Sequence, residues 1–247
     1  MDLGLRNKNV VIAGGSRGIG RSIAECFSEE EANVAICGRS ETSIEETLGL
    51  LGKKNKVMGK SLNIEDKDRF HSWIKEIEQK WGGIDIFIWN ISAQSREWSE
   101  GFNVDILSCI NSIEYILPLL EKSSSPSIVS IGSQASSLSR PRYKAYPAMK
   151  VALLHYMSSL SKELTPMGIR VNTVSPSEVE YPGGIWDLIR AETPEKYEQA
   201  IQRSPLKRFA KPEEVARTVV FIASPAASFI SGANILVDAS SRDHVQF

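Results

Sequence analysis

Residues 10–27 of this chain read Val10-Val11-Ile12-Ala13-Gly14-Gly15-Ser16-Arg17-Gly18-Ile19-Gly20-Arg21-Ser22-Ile23-Ala24-Glu25-Cys26-Phe27. The unbroken apolar run predicts a buried strand, and Ile19, Ile23 and Phe27 then recur at helical spacing. The same change of period repeats along the chain. Val34-Ala35-Ile36-Cys37 predicts a second strand, residues 41–51 a polar helix and residues 57–62 a third strand. Phe70, Trp73, Ile74 and Ile77 mark one helix face, Asp85-Ile86-Phe87-Ile88-Trp89 is a fourth strand, and a long helix follows over 101–121. Strands at 127–131 and 170–174 flank a helix over 145–164; after a broken stretch at 176–203 come a helix over 212–223 and a last strand at 234–237. Strand and helix alternate through short links, so the crossovers should be right-handed and the sheet parallel, with helices on both faces. No linker, repeat or low-complexity tract divides the 247 residues. The expected fold is one doubly wound α/β domain spanning 1–247, with a parallel sheet of about seven strands.

Composition excludes several classes. A hydrophobic content of 42% and a charged content of 24% suit a globular chain with a sizeable core. The net charge of −1 leaves no electrostatic footprint for nucleic acid or an anionic membrane. No apolar run reaches the length of a membrane span, and the amino terminus lacks a signal-peptide pattern. Cys26, Cys37 and Cys109 are odd in number and widely spaced, which points to reduced thiols and a cytoplasmic protein. His71, His155 and His244 stand far apart and beside no acid or thiol at ligand spacing, so no metal site is expected.

Gly14, Gly18 and Gly20 fall between the first strand and the first helix, where glycine permits a tight turn and lets backbone N–H groups approach phosphates at a positive helix end. A plain structural turn is the competing reading. The second strand ends Cys37-Gly38-Arg39-Ser40; an acid there suits the ribose hydroxyls of NAD, whereas an arginine suits the 2′-phosphate of NADP. Arg17 could supply a second cation, although either arginine alone could be an ordinary solvated charge. The pair favours NADP(H). Asn63, after the third strand, could meet the adenine amino group or be a plain loop residue.

Tyr146-Pro147-Ala148-Met149-Lys150 places a phenol and an amine one helical turn apart, on one face. Pro147 is tolerated if the helix begins close by. A free phenol titrates near ~10, and a nearby ammonium favours the phenolate. Tyr146 so tuned is a candidate general acid or base. Ser133, thirteen residues earlier at the end of Ser127-Ile128-Val129-Ser130-Ile131-Gly132, would bond the same substrate oxygen. A core tyrosine beside a surface lysine is the alternative for that motif standing alone.

Together these pieces resemble the short-chain dehydrogenase/reductase family, in its single-domain Rossmann-fold branch. Gly14-x-x-x-Gly18-x-Gly20, the serine and Tyr-x-x-x-Lys match in type and separation. So do Ile169-Arg170-Val171-Asn172-Thr173-Val174-Ser175-Pro176, Pro205-Leu206-Lys207-Arg208 through Pro212-Glu213-Glu214-Val215-Ala216, and Phe229-Ile230-Ser231-Gly232 to Val237-Asp238. The resemblance implies hydride transfer to or from NAD(P), catalysis by Ser133, Tyr146 and Lys150, and cofactor contacts from Gly14, Ser16, Arg17, Gly18, Ile19 and Gly20. Arg39, Asn63, Asn90 and Pro176 would complete the cofactor site, with Tyr146 and Lys150 also touching the cofactor.

Several positions depart from the family's pattern. Its catalytic asparagine in the long helix aligns with Asp105, whose carboxylate would pair with Lys150 and weaken the pull of that ammonium on Tyr146; Asn103 would replace it only if the register slipped. The turn after the fourth strand is Trp89-Asn90-Ile91-Ser92, the usual glycine after Pro176 is Ser177, a threonine position holds Tyr181, and the terminal Gly-Gly is Ala239-Ser240. Residues 181–203 should form a substrate lid. Ile185, Trp186, Leu188 and Ile189 would be its apolar underside or ordinary core. Trp98, Tyr143 and Met149 would add pocket walls, and Arg140 and Arg142 would greet an acidic group or stay solvated. The similar 3-oxoacyl-carrier-protein reductases dock their carrier on basic residues, where this chain has Ser123-Ser124-Ser125 and Met167. A small carbonyl substrate of specialised metabolism is therefore expected. Ile113, Ile116, Leu153, Met157 and Leu160 read as apolar positions beyond one core stripe, and the resemblance implies a homotetramer, with a homodimer equally compatible. The reading is an NADPH-dependent carbonyl reductase; the alternative is a cofactor-binding protein with little catalysis, serving as sensor or assembly subunit.

Overall fold

Successive residues of the central strands part to opposite faces. Val10 and Ile12 of β1 (Asn9–Ala13) and Ile86 and Ile88 of β4 (Ile86–Trp89) share one buried cluster with Ile23, Ala24 and Phe27 of α1 (Gly18–Glu29) and with Val215 and Val219 of α9 (Pro212–Ala223). Their neighbours Val11, Ala13, Phe87 and Trp89 enter the other cluster, against α3 (Lys67–Trp81), α5 (Ser108–Leu120) and α6 (Ala145–Leu164). The sheet is buried on both sides, which is why its strands read as continuous apolar runs rather than alternations.

The structure is a computed structural model that describes residues 1–52, 55–139 and 144–242. Seven parallel strands pair in the order β3-β2-β1-β4-β5-β6-β7, the remaining ones being β2 (Asn33–Gly38), β3 (Val57–Ser61), β5 (Ser127–Ile131), β6 (Arg170–Pro176) and β7 (Asn234–Val237). The order reverses between β1 and β4, the point where α/β sheets open a crevice at the carboxyl ends of their strands. Helix α2 (Glu41–Leu50) links β2 to β3. No described helix is long and apolar enough to cross a membrane.

Three expectations change. The long helix is interrupted: α4 (Trp98–Gly101) runs into a π-helix over Phe102–Leu107 before α5 begins. The broken stretch holds two helices, α7 (Ile185–Glu192) and α8 (Pro194–Arg203). Ile113, Ile116, Leu153, Met157 and Leu160 are all buried within the chain's own core, so they are no free surface for a second subunit. Helix α5 packs beside α3, and α6 packs on β6 and beside the π-helix, which widens their apolar stripes.

Past β7, Ala239 (φ +52°) and Ser240 (φ +61°) adopt the left-handed conformation where the family pattern has glycines. Ser240 N–H donates to Asp238 at 3.1 Å, and the Ser241 hydroxyl accepts from Gln134 at 2.8 Å, fastening this turn to the segment after β5. Replacing Ala239 by glycine should stabilise the chain by about 0.5–1 kcal/mol, the relief of left-handed strain less the added freedom of the unfolded chain. A rise in the urea midpoint is the expected result; an unchanged or lower midpoint would show that the turn is unstrained.

Candidate active site

The glycine turn is shaped by contacts at the β1–β4 switch. A Cβ on Gly20 would lie 1.9 Å from the Gly14 carbonyl oxygen and 2.5 Å from Asn90 Nδ2, so no side chain fits there. Asn90 donates that amide to the Gly14 carbonyl at 2.8 Å, and Gly14 itself has φ +84°. The Ser16 carbonyl accepts from Thr47 Oγ1 at 3.0 Å and from Arg21 at 3.2 Å. Helix α1 starts at Gly18 with no side-chain cap and no acid in its first turn, whereas α2 and α3 are capped by Ser40 and Asp66 and carry acids there. An uncapped, acid-free helix start behind a turn without side-chain bulk fits a pyrophosphate. Arg17 and Arg39 are exposed and make no ion pair among the described residues, which leaves both available to a phosphate. Asn63 is also exposed, with its side chain bonded to Glu65. Ile19 packs on the core, and Pro176 ends β6 in a buried position.

One strand end and one helix bring the polar groups together. Helix α6 begins at Ala145, so Pro147 falls in its first turn, where no N–H is missed. Lys150, one turn on, is 3% exposed; its Nζ donates to the Ile131 carbonyl at 3.3 Å and stands 5.8 Å from the centre of the Tyr146 ring. Ser133 follows β5, accepts from Ala135 N–H at 3.1 Å and hydrogen-bonds the Tyr146 side chain. Phenol, hydroxyl and ammonium are therefore neighbours at the carboxyl end of β5.

Asp105 joins them. It projects from the π-helix, is 1% exposed and lies 3.3 Å from Lys150 Nζ through Oδ1, an ion pair by distance that is not aligned as a hydrogen bond. Its Oδ2 accepts from Ala93 N–H at 2.8 Å, in the loop after β4. Asn103 is exposed, so the unslipped register holds. Burial pushes the Tyr146 phenol above its ordinary range; the hydrogen bond with Ser133 opposes this, and the Asp105 carboxylate adds to it. The direction is opposite to the lowering expected from Lys150 alone, and desolvation of the buried phenol is its main cause. Cys109, buried beside the pair, is pushed up by the same burial, and the buried Cys37 thiol rises to about 12. Both are inert thiols.

Tyr181, at the start of the segment 181–203, reaches the glycine turn. A Cβ on Gly18 would lie 2.6 Å from its ring, and one on Gly184 3.0 Å from it. Beside it lies a cavity of about 380 Å³, bounded by Glu180, Pro182, Phe209 and Lys211 among others. A larger cavity of about 740 Å³ runs along α8 and contains none of the residues above. No residue of α7 is buried: Ile185 and Leu188 are exposed, and Trp186 packs on Phe209 with ring centres 4.6 Å apart. Trp98 is exposed, and Met149 packs against Gly101. Arg140, Arg142, Tyr143 and His244 lie outside the described residues. Among the described residues no group of acids, thiols and histidines could hold a metal. Sequence reasoning missed the Ala93 amide, the Ile131 carbonyl and Gln134; the first two are backbone groups without a side-chain signal.

A family model described as enoyl-(acyl carrier protein) reductase matches residues 13–239. The chain belongs to the short-chain dehydrogenase/reductase family. Among its short-chain dehydrogenase/reductase relatives, isoepoxydon dehydrogenase of Penicillium expansum is 36% identical over 99% of this chain and 98% of its own length. The 3-oxoacyl-[acyl-carrier-protein] reductase of Thermotoga maritima is 30% identical over 95% of this chain and 97% of its own. The structure of L-sorbose reductase from Gluconobacter frateurii, complexed with NADPH and L-sorbose, covers 99% of this chain and all of that one with a TM-score of 0.91 at 24% identity, a likeness of fold. Levodione reductase matches with a TM-score of 0.89 over 97% of this chain at 20% identity.

For this short-chain dehydrogenase/reductase the Gly14–Gly20–Asn90 contact is the feature most sensitive to substitution. Gly20→Ala should cost about 1–3 kcal/mol by overpacking and weaken dinucleotide binding at the same time. Denaturant titration and cofactor titration of the variant test it; an unaltered midpoint and affinity would mean the turn relaxes freely.

Proposed function

We propose that this chain is an NADPH-dependent reductase that converts a carbonyl of a small substrate to an alcohol. The observation that supports this best is the convergence of Ser133, Tyr146 and Lys150 at the carboxyl end of β5, together with a glycine turn that would suit a pyrophosphate. Bound in the cradle, the reduced nicotinamide would supply a hydride. Gly14, Ser16, Gly18, Ile19 and Gly20 would hold its pyrophosphate, with Asn90 and Pro176 bounding the site and Lys150 also meeting the nicotinamide ribose. Arg39 and Arg17 would receive the 2′-phosphate, and Asn63 would stand at the adenine end.

The chain's own part is the proton. Ser133 and Tyr146 would both bond the carbonyl oxygen, and the phenol, held neutral by its surroundings, would donate its proton as charge develops there. The 36% identity to isoepoxydon dehydrogenase supports a small substrate of specialised metabolism. The exposed, uncharged Met167 argues against a docked carrier protein. An assembly of two or four copies would have to use exposed residues such as Phe102, Leu107 and Val151, since the core residues of α5 and α6 are not available. A cofactor-binding sensor with little catalysis is the competing reading, favoured by the departure at Asp105.

Two measurements decide these points. Arg39→Ala should weaken NADPH binding by about 10-fold or more while leaving NADH nearly unchanged, the loss of one charge-assisted phosphate contact. Equal weakening of both would sink the 2′-phosphate assignment. With a panel of small ketones and diketones, Tyr146→Phe should lower turnover by roughly 100-fold or more. A variant as active as the native protein would end the acid role, and binding without any native turnover would favour the sensor.

A further inference from the structure

We infer that Asp105 is a positioning residue that offsets the charge of Lys150 inside the site, so that Tyr146 stands ready to give a proton rather than to take one. This rests on the reductase reading and deepens it by naming the protonation form in which the site waits for substrate.

The geometry carries the argument. Asp105 and Lys150 are 1% and 3% exposed, and their charged atoms are 3.3 Å apart, with little solvent to screen them. Each is also held by the backbone, Asp105 through Ala93 N–H and Lys150 through the Ile131 carbonyl, so neither swings away. Among the described residues, Cys109 from α5, the Tyr146 ring from α6, and Ser133 through its bond with Tyr146 face the pair. No second cation of the described ion pairs reaches Asp105. An ammonium standing alone at 5.8 Å from a phenol ring would favour the phenolate; one matched by a carboxylate at 3.3 Å favours it far less. Burial then dominates, and the phenol stays protonated.

In the proton step, the O–H bond of Tyr146 breaks, its electron pair stays on the phenolic oxygen, and the new O–H bond forms on the substrate oxygen; the phenolate regains a proton from water between turnovers. The carboxylate changes which form of the free protein is populated at neutral pH. It does not alter the overall equilibrium of the reaction.

The test is an alkaline titration of the cofactor-free protein, followed by tyrosinate absorbance in the near ultraviolet. Subtracting the Tyr146→Phe curve isolates the Tyr146 component, which should ionise above the ordinary ~10 in the native background. In Asp105→Asn, whose amide oxygen can still accept from Ala93 N–H, that component should move down by about one pH unit or more, read against the Asp105→Asn/Tyr146→Phe double variant. The high-pH fall of reductase activity should move by the same amount. Circular dichroism and thermal melts confirm that each variant is folded. Equal midpoints with and without the carboxylate would overturn the inference. If Asp105→Asn does not fold, Asp105→Ser takes its place with the same expected downward shift, and a native Tyr146 midpoint at or below ~10 overturns the inference as well. The titration needs neither cofactor nor substrate, so absence of turnover, which would sink the reductase reading, cannot be confused with either result.

Discussion

How closely β1, β4 and the start of α1 approach one another decides what the edge of the sheet can hold. The Gly14 carbonyl is wedged against Gly20 and bonded by Asn90, so two strands and a helix meet with no side chain between them. That contact directs the uncapped end of α1 across the crevice where the strand order reverses. It also sets the height of β4, whose following loop delivers the Ala93 amide to Asp105. Displacing it would disturb the phosphate cradle and the ion pair together.

Tyr146, Lys150 and Asp105 occupy the opposite kind of environment from the glycine turn. The cradle is an open array of N–H groups and exposed arginines, suited to a large anion. Around Tyr146 the charges are buried and already matched. A buried ion pair is weak evidence for stability, because desolvation consumes much of the attraction between its members. Its presence is better understood through the phenol it faces than through the fold it belongs to. Tyr181 lies between the two environments, touching Gly18 on one side and the root of the lid on the other.

Most of the architecture was legible in the chain. Val10 to Ala13 and Ile86 to Trp89 are continuous apolar runs because both faces of the sheet are covered, and that pattern identifies parallel strands. The positions of Ser133, Tyr146 and Lys150 were legible for a similar reason, since one strand end and one helical turn bring them together. What stayed hidden depends on three-dimensional charge and on packing between helices. The direction in which Tyr146 is tuned follows first from its burial, which spacing along the chain does not encode. The core residues of α5 and α6 resembled an interface because a helix packed against both sheet and helix carries more apolar positions than one stripe needs. The left-handed Ala239 and Ser240 carry no signal in residue type.

The π-helix over Phe102–Leu107 has a consequence for which changes of length the chain tolerates. A π turn holds an extra residue relative to an α turn, and each residue of an α-helix advances the side-chain direction by about 100°. The π turn absorbs that extra residue while Asp105 keeps the face it shares with Lys150, so residue count between 102 and 107 matters to the site as well as residue type.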